Sequence, residues 1–292
     1  MIISEKNEKK RAALLSVLSA TILTGSKLVV GVATGSLGIL SEALHSTLDF
    51  LAAIITFFSV RMSDKPADRE HNYGHGKVEN LSALIQAVLL VVTCIWIIYE
   101  AIRRLTGDDF HIEVTVWSYA VVILSIVIDI NRSRMLKKVA KKHNSQVLEA
   151  DALHFSTDIW SSAVVLLGLI CVQFGVFWAD SIAALGVAAI ILVVSYRFGK
   201  KAVDVLLDRA PAGTLKIVDE VINRYPEIIM VHDLKARTAG ADTFIKFNIH
   251  LNPELTVHQA HELCDKLEKE INSLVPRSEI YIHLEPHRHE GK

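Results

Sequence analysis

Two short stretches of this chain place a histidine and an aspartate four residues apart: residues 42–49 read EALHSTLD and residues 151–158 read DALHFSTD. Residues four apart on a helix lie on one face, so His45 with Asp49, and His154 with Asp158, each form a two-ligand edge. Two such edges facing each other offer two imidazole nitrogens and two carboxylate oxygens. That is a tetrahedral donor set for Zn²⁺, and the nitrogens weigh against Mg²⁺ and Ca²⁺. Both stretches sit in otherwise apolar segments, where ionisable groups are costly and mark ion or proton paths. The alternative is that they are buried polar pairs holding helices together. Metal binding needs neutral imidazoles and ionised carboxylates, so it releases protons, and protons in turn displace metal. A site of this kind that faces the two sides of a membrane alternately exchanges metal for protons. Glu42 and Asp151, one turn before the pairs, fit either ligand support and a proton route or an interfacial position.

The elements that position these residues read as membrane helices. The chain has 292 residues, 51% of them hydrophobic, and a mean hydropathy of +0.35, high for a soluble protein. Its formal net charge of −1 gives no electrostatic footprint for a nucleic-acid partner. Cys94, Cys171 and Cys264 are too widely spaced for a disulfide framework or a zinc ribbon. A helix needs about 20 mostly apolar residues to cross a bilayer, and six segments qualify: 12–34, 37–60, 80–100, 114–131, 146–173 and 178–199. The first reads as a retained span, not a cleaved signal. Lys and Arg cluster before span 1, between spans 2 and 3, between 4 and 5, and after 6, whereas the other side carries only Arg103 and Arg104. Both termini are therefore predicted to be cytoplasmic.

After residue 208 the composition changes, and no later segment is apolar enough to span. Residues 1–208 are predicted to form a membrane transport domain, and 209–292 a cytoplasmic one. The second reads as a helix at 213–224, strands around 229–238 and 243–251, a helix at 256–274 and a strand at 278–284. This αββαβ order suits a small α+β domain with helices on one face of a short sheet.

With paired motifs on spans two and five, the loop segment PADREHNYGHGKVE and a tail ending IYIHLEP, the chain resembles the cation diffusion facilitator family of metal/proton antiporters over nearly its whole length. The resemblance implies a homodimer in a bacterial inner membrane, export from the cytoplasm, and a ferredoxin-like, metallochaperone-like tail that binds metal. By position, His45, Asp49, His154 and Asp158 match the family's transport site. His45 stands where many bacterial iron/zinc members have Asp, which looks like the arrangement of the zinc-selective members and favours zinc over manganese. Fe²⁺, Co²⁺ and Cd²⁺ stay open as cargo. Asp68, His71 and His75, spaced D-x-x-H-x-x-x-H, match a loop zinc site. Three good ligands in a short loop, with Gly74 and Gly76 permitting tight geometry, support it; a solvated polar loop is the alternative. In the tail, His232, His250, His261, His283 and Glu285 are the candidate cytoplasmic ligands. The chain departs from the family pattern at Asn248, His250 and Glu285, so one zinc and two both remain open. His258, His287 and His289 read as solvated or terminal, and His111 and His143 as surface. Lys77 and Asp208 match a charge pair that locks the base of the membrane dimer.

The function expected is a secondary transporter moving Zn²⁺ outward against protons, regulated by metal in its tail, with lipid, metal ions, protons and a second copy as partners. A metal-sensing membrane scaffold is the alternative. An intramembrane metalloenzyme fits less well: there is no HExxH, Ser46 and Ser156 lack a triad context, and four protein ligands leave no open position. No enzymatic activity and no organic cofactor are expected.

Overall fold

The computed structural model describes residues 2–34, 37–106, 116–173 and 178–287. Six long helices come first: α1 (Ile2–Thr34), α2 (Leu37–Ser63), α3 (Lys77–Thr106), α4 (Val116–His143), α5 (Gln146–Gln173) and α6 (Trp178–Leu206). All but α5 outrun the predicted spans, α1 and α4 furthest. α1 begins ahead of the charged Lys6–Arg11 stretch, and α4 continues through a Lys/Arg-rich stretch to His143. Charge ends a membrane span without ending a helix, because Lys, Arg and Glu are good helix formers. Here the two charged extensions also pair, Glu8 with Lys142 at 2.5 Å and with His143 at 3.1 Å. Among the described residues, Asn7–Val29, Ser46–Ser63 and Lys77–Arg103 are long and apolar enough to cross a membrane.

The chain divides into two compact units, Met1–Pro66 with Val78–Val203, and Ala67–Lys77 with Asp204–Lys292. In the helical unit, α1, α2, α4 and α5 share a cluster that includes Ala12, Ala13, Val60, Leu136, Ala140 and Ala152. A smaller one joins α3, α5 and α6 through Ala83, Ala87, Ala150, Phe198 and Ala202. Alanines at these contacts let helix backbones approach closely, which is how helices associate when lipid removes the hydrophobic drive between them. Large apolar side chains such as Ile22, Val29, Trp96 and Ile190 are exposed, while Ser16, Thr56, Gln86, Asp151 and His154 are buried. An apolar exterior around a polar interior is the arrangement expected where the surrounding solvent is lipid. At one end of the bundle the buried Glu79 is a node. It pairs with Lys9 at 3.1 Å and accepts hydrogen bonds from Ser63 at 2.9 Å and Ser145 at 2.5 Å, while Lys9 also pairs with Asp64 at 2.9 Å. The node ties α1, the end of α2, the start of α3 and the α4–α5 turn together.

The second unit contains α7 (Thr214–Ile222), β1 (Ile228–Ala239), β2 (Asp242–Leu251), α8 (Val257–Leu274) and β3 (Ser278–Pro286), the expected αββαβ order. β1 and β2 form an antiparallel hairpin whose turn uses Gly240 at φ 64°, and β3 joins β2 in parallel after the α8 crossover. A capping box starts α8: the Thr256 hydroxyl accepts from the Gln259 N–H, and the Gln259 side chain accepts from the Thr256 N–H. Along β2, Ile245, Phe247, Ile249 and Leu251 point at α7 and α8, packing on Val218, Ile222, Leu267 and Ile271. Strand alternation then turns Asn248 and His250 to the other face. The loop of residues 67–77 belongs to this unit. Tyr73 meets Phe244 edge-on at 5.0 Å, and the Arg237 guanidinium lies 4.0 Å from the centre of the Tyr73 ring.

Candidate metal centres

The first cluster joins α2 and α5. His154 Nε2 lies 2.9 Å from Asp49 Oδ1 and 3.8 Å from Asp158 Oδ2. Zinc bonds of about 2.0–2.1 Å imply donors roughly 3.3 Å apart around a tetrahedron, so these atoms stand close to a coordinating arrangement. His154 and Asp158 meet through the helical repeat of α5, whereas Asp49 arrives from 105 residues earlier in the chain. The Thr157 hydroxyl donates to the His154 carbonyl at 2.6 Å, and the Phe155 ring stands edge-on to the imidazole at 5.3 Å. The side chain of His45 lies outside the described residues.

Around this cluster stand further ionisable groups: Asp151, which the sequence singled out, and Lys27, Arg132 and Asp129, which sequence reasoning did not place at a site. Lys27 donates to the Ser46 hydroxyl at 2.8 Å. Arg132 Nε donates to Ser16 Oγ, and that hydroxyl donates to Asp151 Oδ2, each at 2.9 Å. The guanidinium of Arg132 also lies over the Phe155 ring at 3.4 Å. Asp129, on α4, is 5% exposed. The signal for Lys27 and Asp129 was their place inside predicted spans, where any ionisable side chain calls for a function.

The second cluster is in the loop. His71 Nδ1 and His75 Nε2 lie 3.4 Å and 3.3 Å from the two oxygens of Asp68, with the imidazole centres 4.5 Å apart. Asp68 accepts from the backbone N–H groups of His71 at 2.7 Å and Glu70 at 2.9 Å. The His71 N–H in particular holds its carboxyl below the usual range, so it is ionised and aimed as a ligand must be. Lys77, at the end of the same loop, pairs with Asp208 at 2.7 Å within one chain, and Arg237 reaches the other Asp208 oxygen at 3.4 Å. Lys77, with Arg237 assisting, holds the Asp208 carboxyl below its ordinary value.

The third cluster lies on the helix-free face of the sheet. His232 Nε2 and His250 Nε2 are 3.1 Å apart, and Glu285 reaches them at 3.5 Å and 3.3 Å. Register explains the grouping: His232 opposes Asn248 on β2, and Glu285 of β3 opposes His250. Asn248 donates to Glu285 at 3.1 Å, orienting its carboxylate. His283 stands 3.7 Å from Glu285 but is 65% exposed, and the structure places His261 on α8 beside Asp265 at 3.9 Å, outside this group. His287, read from sequence as solvated, has its ring centre 5.9 Å from that of His250. The sheet register continues one residue past β3, with the His287 N–H bonded to the Leu251 carbonyl at 2.8 Å.

Apolar helices around a buried nitrogen/carboxylate cluster, followed by a small domain with a similar donor group, are what a membrane transporter of metal cations requires. The family model for the cation efflux transmembrane domain matches residues 13–207, and that for the cytoplasmic domain of cation efflux proteins matches residues 210–287. The chain belongs to the cation diffusion facilitator family, a class of cation-efflux membrane transporters. It is 31% identical to the cation-efflux pump FieF of Yersinia enterocolitica over 95% of its own length and 92% of that protein's. To the FieF of Pectobacterium carotovorum it is 32% identical, over 94% and 92%. Among solved structures it is similar to the metal-bound C-terminal domain of the CzcD transporter from Thermotoga maritima, at 28% identity and a TM-score of 0.25, covering 27% of this chain and 92% of that one.

Proposed function

We propose that this protein exports divalent metal, Zn²⁺ foremost, from the cytoplasm in exchange for protons. The transport site is Asp49, His154 and Asp158, completed by His45. In this reading residues 1–208 form six spans in a bacterial inner membrane with both termini cytoplasmic, and residues 209–292 form a cytoplasmic domain through which two copies pair. The observation that carries the reading is the burial of His154 Nε2 between the carboxylates of Asp49 and Asp158 in a bundle with an apolar exterior. Buried charges persist only when paired or when they bind ions. One imidazole and two carboxylates suit a borderline cation such as Zn²⁺, and Fe²⁺, Co²⁺ and Cd²⁺ follow as competing cargo.

The chemistry of exchange follows from the same atoms. A proton on His154 forms a charge-assisted hydrogen bond with Asp49, and a metal ion takes the place of that proton between the same donors. Low pH on one side therefore expels metal there, and higher pH on the other side favours loading. The loop group Asp68, His71 and His75 and the tail group His232, His250 and Glu285 are assigned as cytoplasmic metal sites. By binding one state of the transporter better than another, their metal sets how readily it cycles.

The test is Zn²⁺ flux into proteoliposomes under an imposed pH gradient, comparing the wild type with Asp49→Ala. The expected result is gradient-dependent flux in the wild type and the level of empty vesicles in a variant that remains folded. Equal flux in both would remove this site from the path. Absence of Zn²⁺ flux in the wild type, followed by the same assay with Fe²⁺, Co²⁺ and Cd²⁺, would reassign the cargo or leave a sensing scaffold.

A further inference from the structure

Asp129 is a carboxylate in the middle of α4 that the metal cluster does not use. It is 5% exposed, and among the described residues it makes no hydrogen bond and no ion pair. Each of the other buried carboxylates among the described residues of the helical unit has such a partner: Asp49 has His154, Asp151 has Ser16 and Glu79 has Lys9. The charged groups that act on Asp129 come from four helices: Asp158 from α5, Asp49 from α2, Lys27 from α1 and Arg132 from its own helix. α4 and α5 form an antiparallel hairpin turning at Asn144–Ser145. Asp129 lies about as far before that turn as Asp158 lies after it, so with an equal rise per residue the two sit at one depth.

The same face of α4 continues the theme. Ser125, one turn earlier, is buried with a hydroxyl that has no hydrogen-bond partner among the described residues, and Arg132, three residues later, is tied to Ser16 and through it to Asp151. Residues 125, 129 and 132 share one helical stripe. A carboxyl with no hydrogen-bond or ion-pair partner among the described residues is too costly to keep as a bare charge in a low-dielectric interior, and the smallest cation that removes the cost is a proton. A divalent metal arriving at Asp49, His154 and Asp158 brings a positive charge to the same depth, which makes the ionised form of Asp129 affordable and drives the proton off. Arg132 stands at the other end of the stripe, where a fixed positive charge opposes the passage of a free proton.

We infer that Asp129 is a proton-binding site of the transport cycle, separate from the metal ligands, that releases its proton when metal binds and regains it when metal leaves. The inference rests on the proton-exchange reading above and adds a residue and a position to it.

Linkage supplies the test. If one proton leaves Asp129 for each metal bound, the metal affinity of the full-length protein gains an extra factor of about ten per pH unit across the window in which that proton is exchanged. Zn²⁺ titrations of the purified dimer at a series of pH values give log Kd against pH, whose slope counts the protons released. Asp129→Asn keeps the shape and removes the proton site; its slope is expected to fall by about one, with its affinity meeting the wild type at the acidic end. Asp129→Glu, which retains a carboxyl, is expected to recover the wild-type slope. Equal slopes in wild type and Asp129→Asn overturn the inference while leaving proton exchange at the metal ligands intact. So does a folded Asp129→Asn that binds no Zn²⁺ at any pH, since it makes the residue a ligand. If Asp129→Asn does not fold, Asp129→Glu and Asp129→Ser carry the same comparison. A flat wild-type profile would instead sink the proton-exchange reading, and the inference with it.

Discussion

Gly76 offers a direct measure of how the loop of residues 67–77 is seated. A Cβ built at this position would lie 2.3 Å from the Ala239 carbonyl oxygen, 2.5 Å from its carbon and 2.8 Å from Gly240 N. All three atoms are backbone, so no side chain can swing away to make room. Gly76→Ala therefore forces the loop and the β1–β2 turn apart by about an ångström. It also loosens the neighbouring contacts of Tyr73 with Phe244 and Arg237. Overpacking of this kind costs about 1–3 kcal/mol, and two opposed backbones place it at the upper end. About 3 kcal/mol corresponds to roughly a hundredfold loss in the docked population of the loop. Amide hydrogen exchange of the full protein reads this directly as faster exchange in residues 67–77 and around residues 239–242. Gly25→Ala and Gly186→Ala are controls, since a Cβ at either meets nothing within 4 Å; each is expected to leave the loop untouched. Unchanged loop protection in Gly76→Ala would refute the close backbone approach on which this reasoning stands.

Two further outcomes are expected. The Glu79 node predicts that Glu79→Ala costs about 1–3 kcal/mol, because Ser63 and Ser145 lose their acceptor while Lys9 keeps Asp64 as a partner; a Lys9/Glu79 double-mutant cycle on thermal melting should return a coupling above about 1 kcal/mol, and a value near zero would make it an ordinary surface pair. Asp208, whose carboxyl Lys77 holds below its ordinary value, contributes stability that is fully present above about pH 4 and is lost as pH falls through the lower folded value. Because the pair is partly exposed, Asp208→Asn should cost under about 1 kcal/mol at neutral pH and less in high salt, read by melting at pH 7 and pH 3; a larger loss at pH 3 than at pH 7 would reverse the assigned sign.

The residues themselves determined a good part of this protein. The four-residue spacing of His154 and Asp158 puts both on one face of any helix, so this half of the site follows from local geometry. The αββαβ order of the tail follows from alternation along 243–251 and the capping box at Thr256. Asp68, His71 and His75 meet because a short loop leaves them nowhere else to go.

Tertiary structure decided what depends on distant segments. Asp49 meets His154 across 105 residues because α2 packs beside α5, a partnership no helical repeat specifies. His250 gains His232, Glu285 and His287 as neighbours through strand register, while His261, equally plausible as a ligand from its residue type, is carried away on α8. The pairing of Lys77 with Asp208 inside one chain depends on the loop of residues 67–77 joining the same compact unit as the tail. Asp129 shows the limit most plainly: its sequence marks a charge inside a span, but burial without a partner among the described residues is a property of the packed bundle. Spacing along one element is set by bond geometry, whereas contact between elements is set by the summed packing of many side chains that no short motif contains.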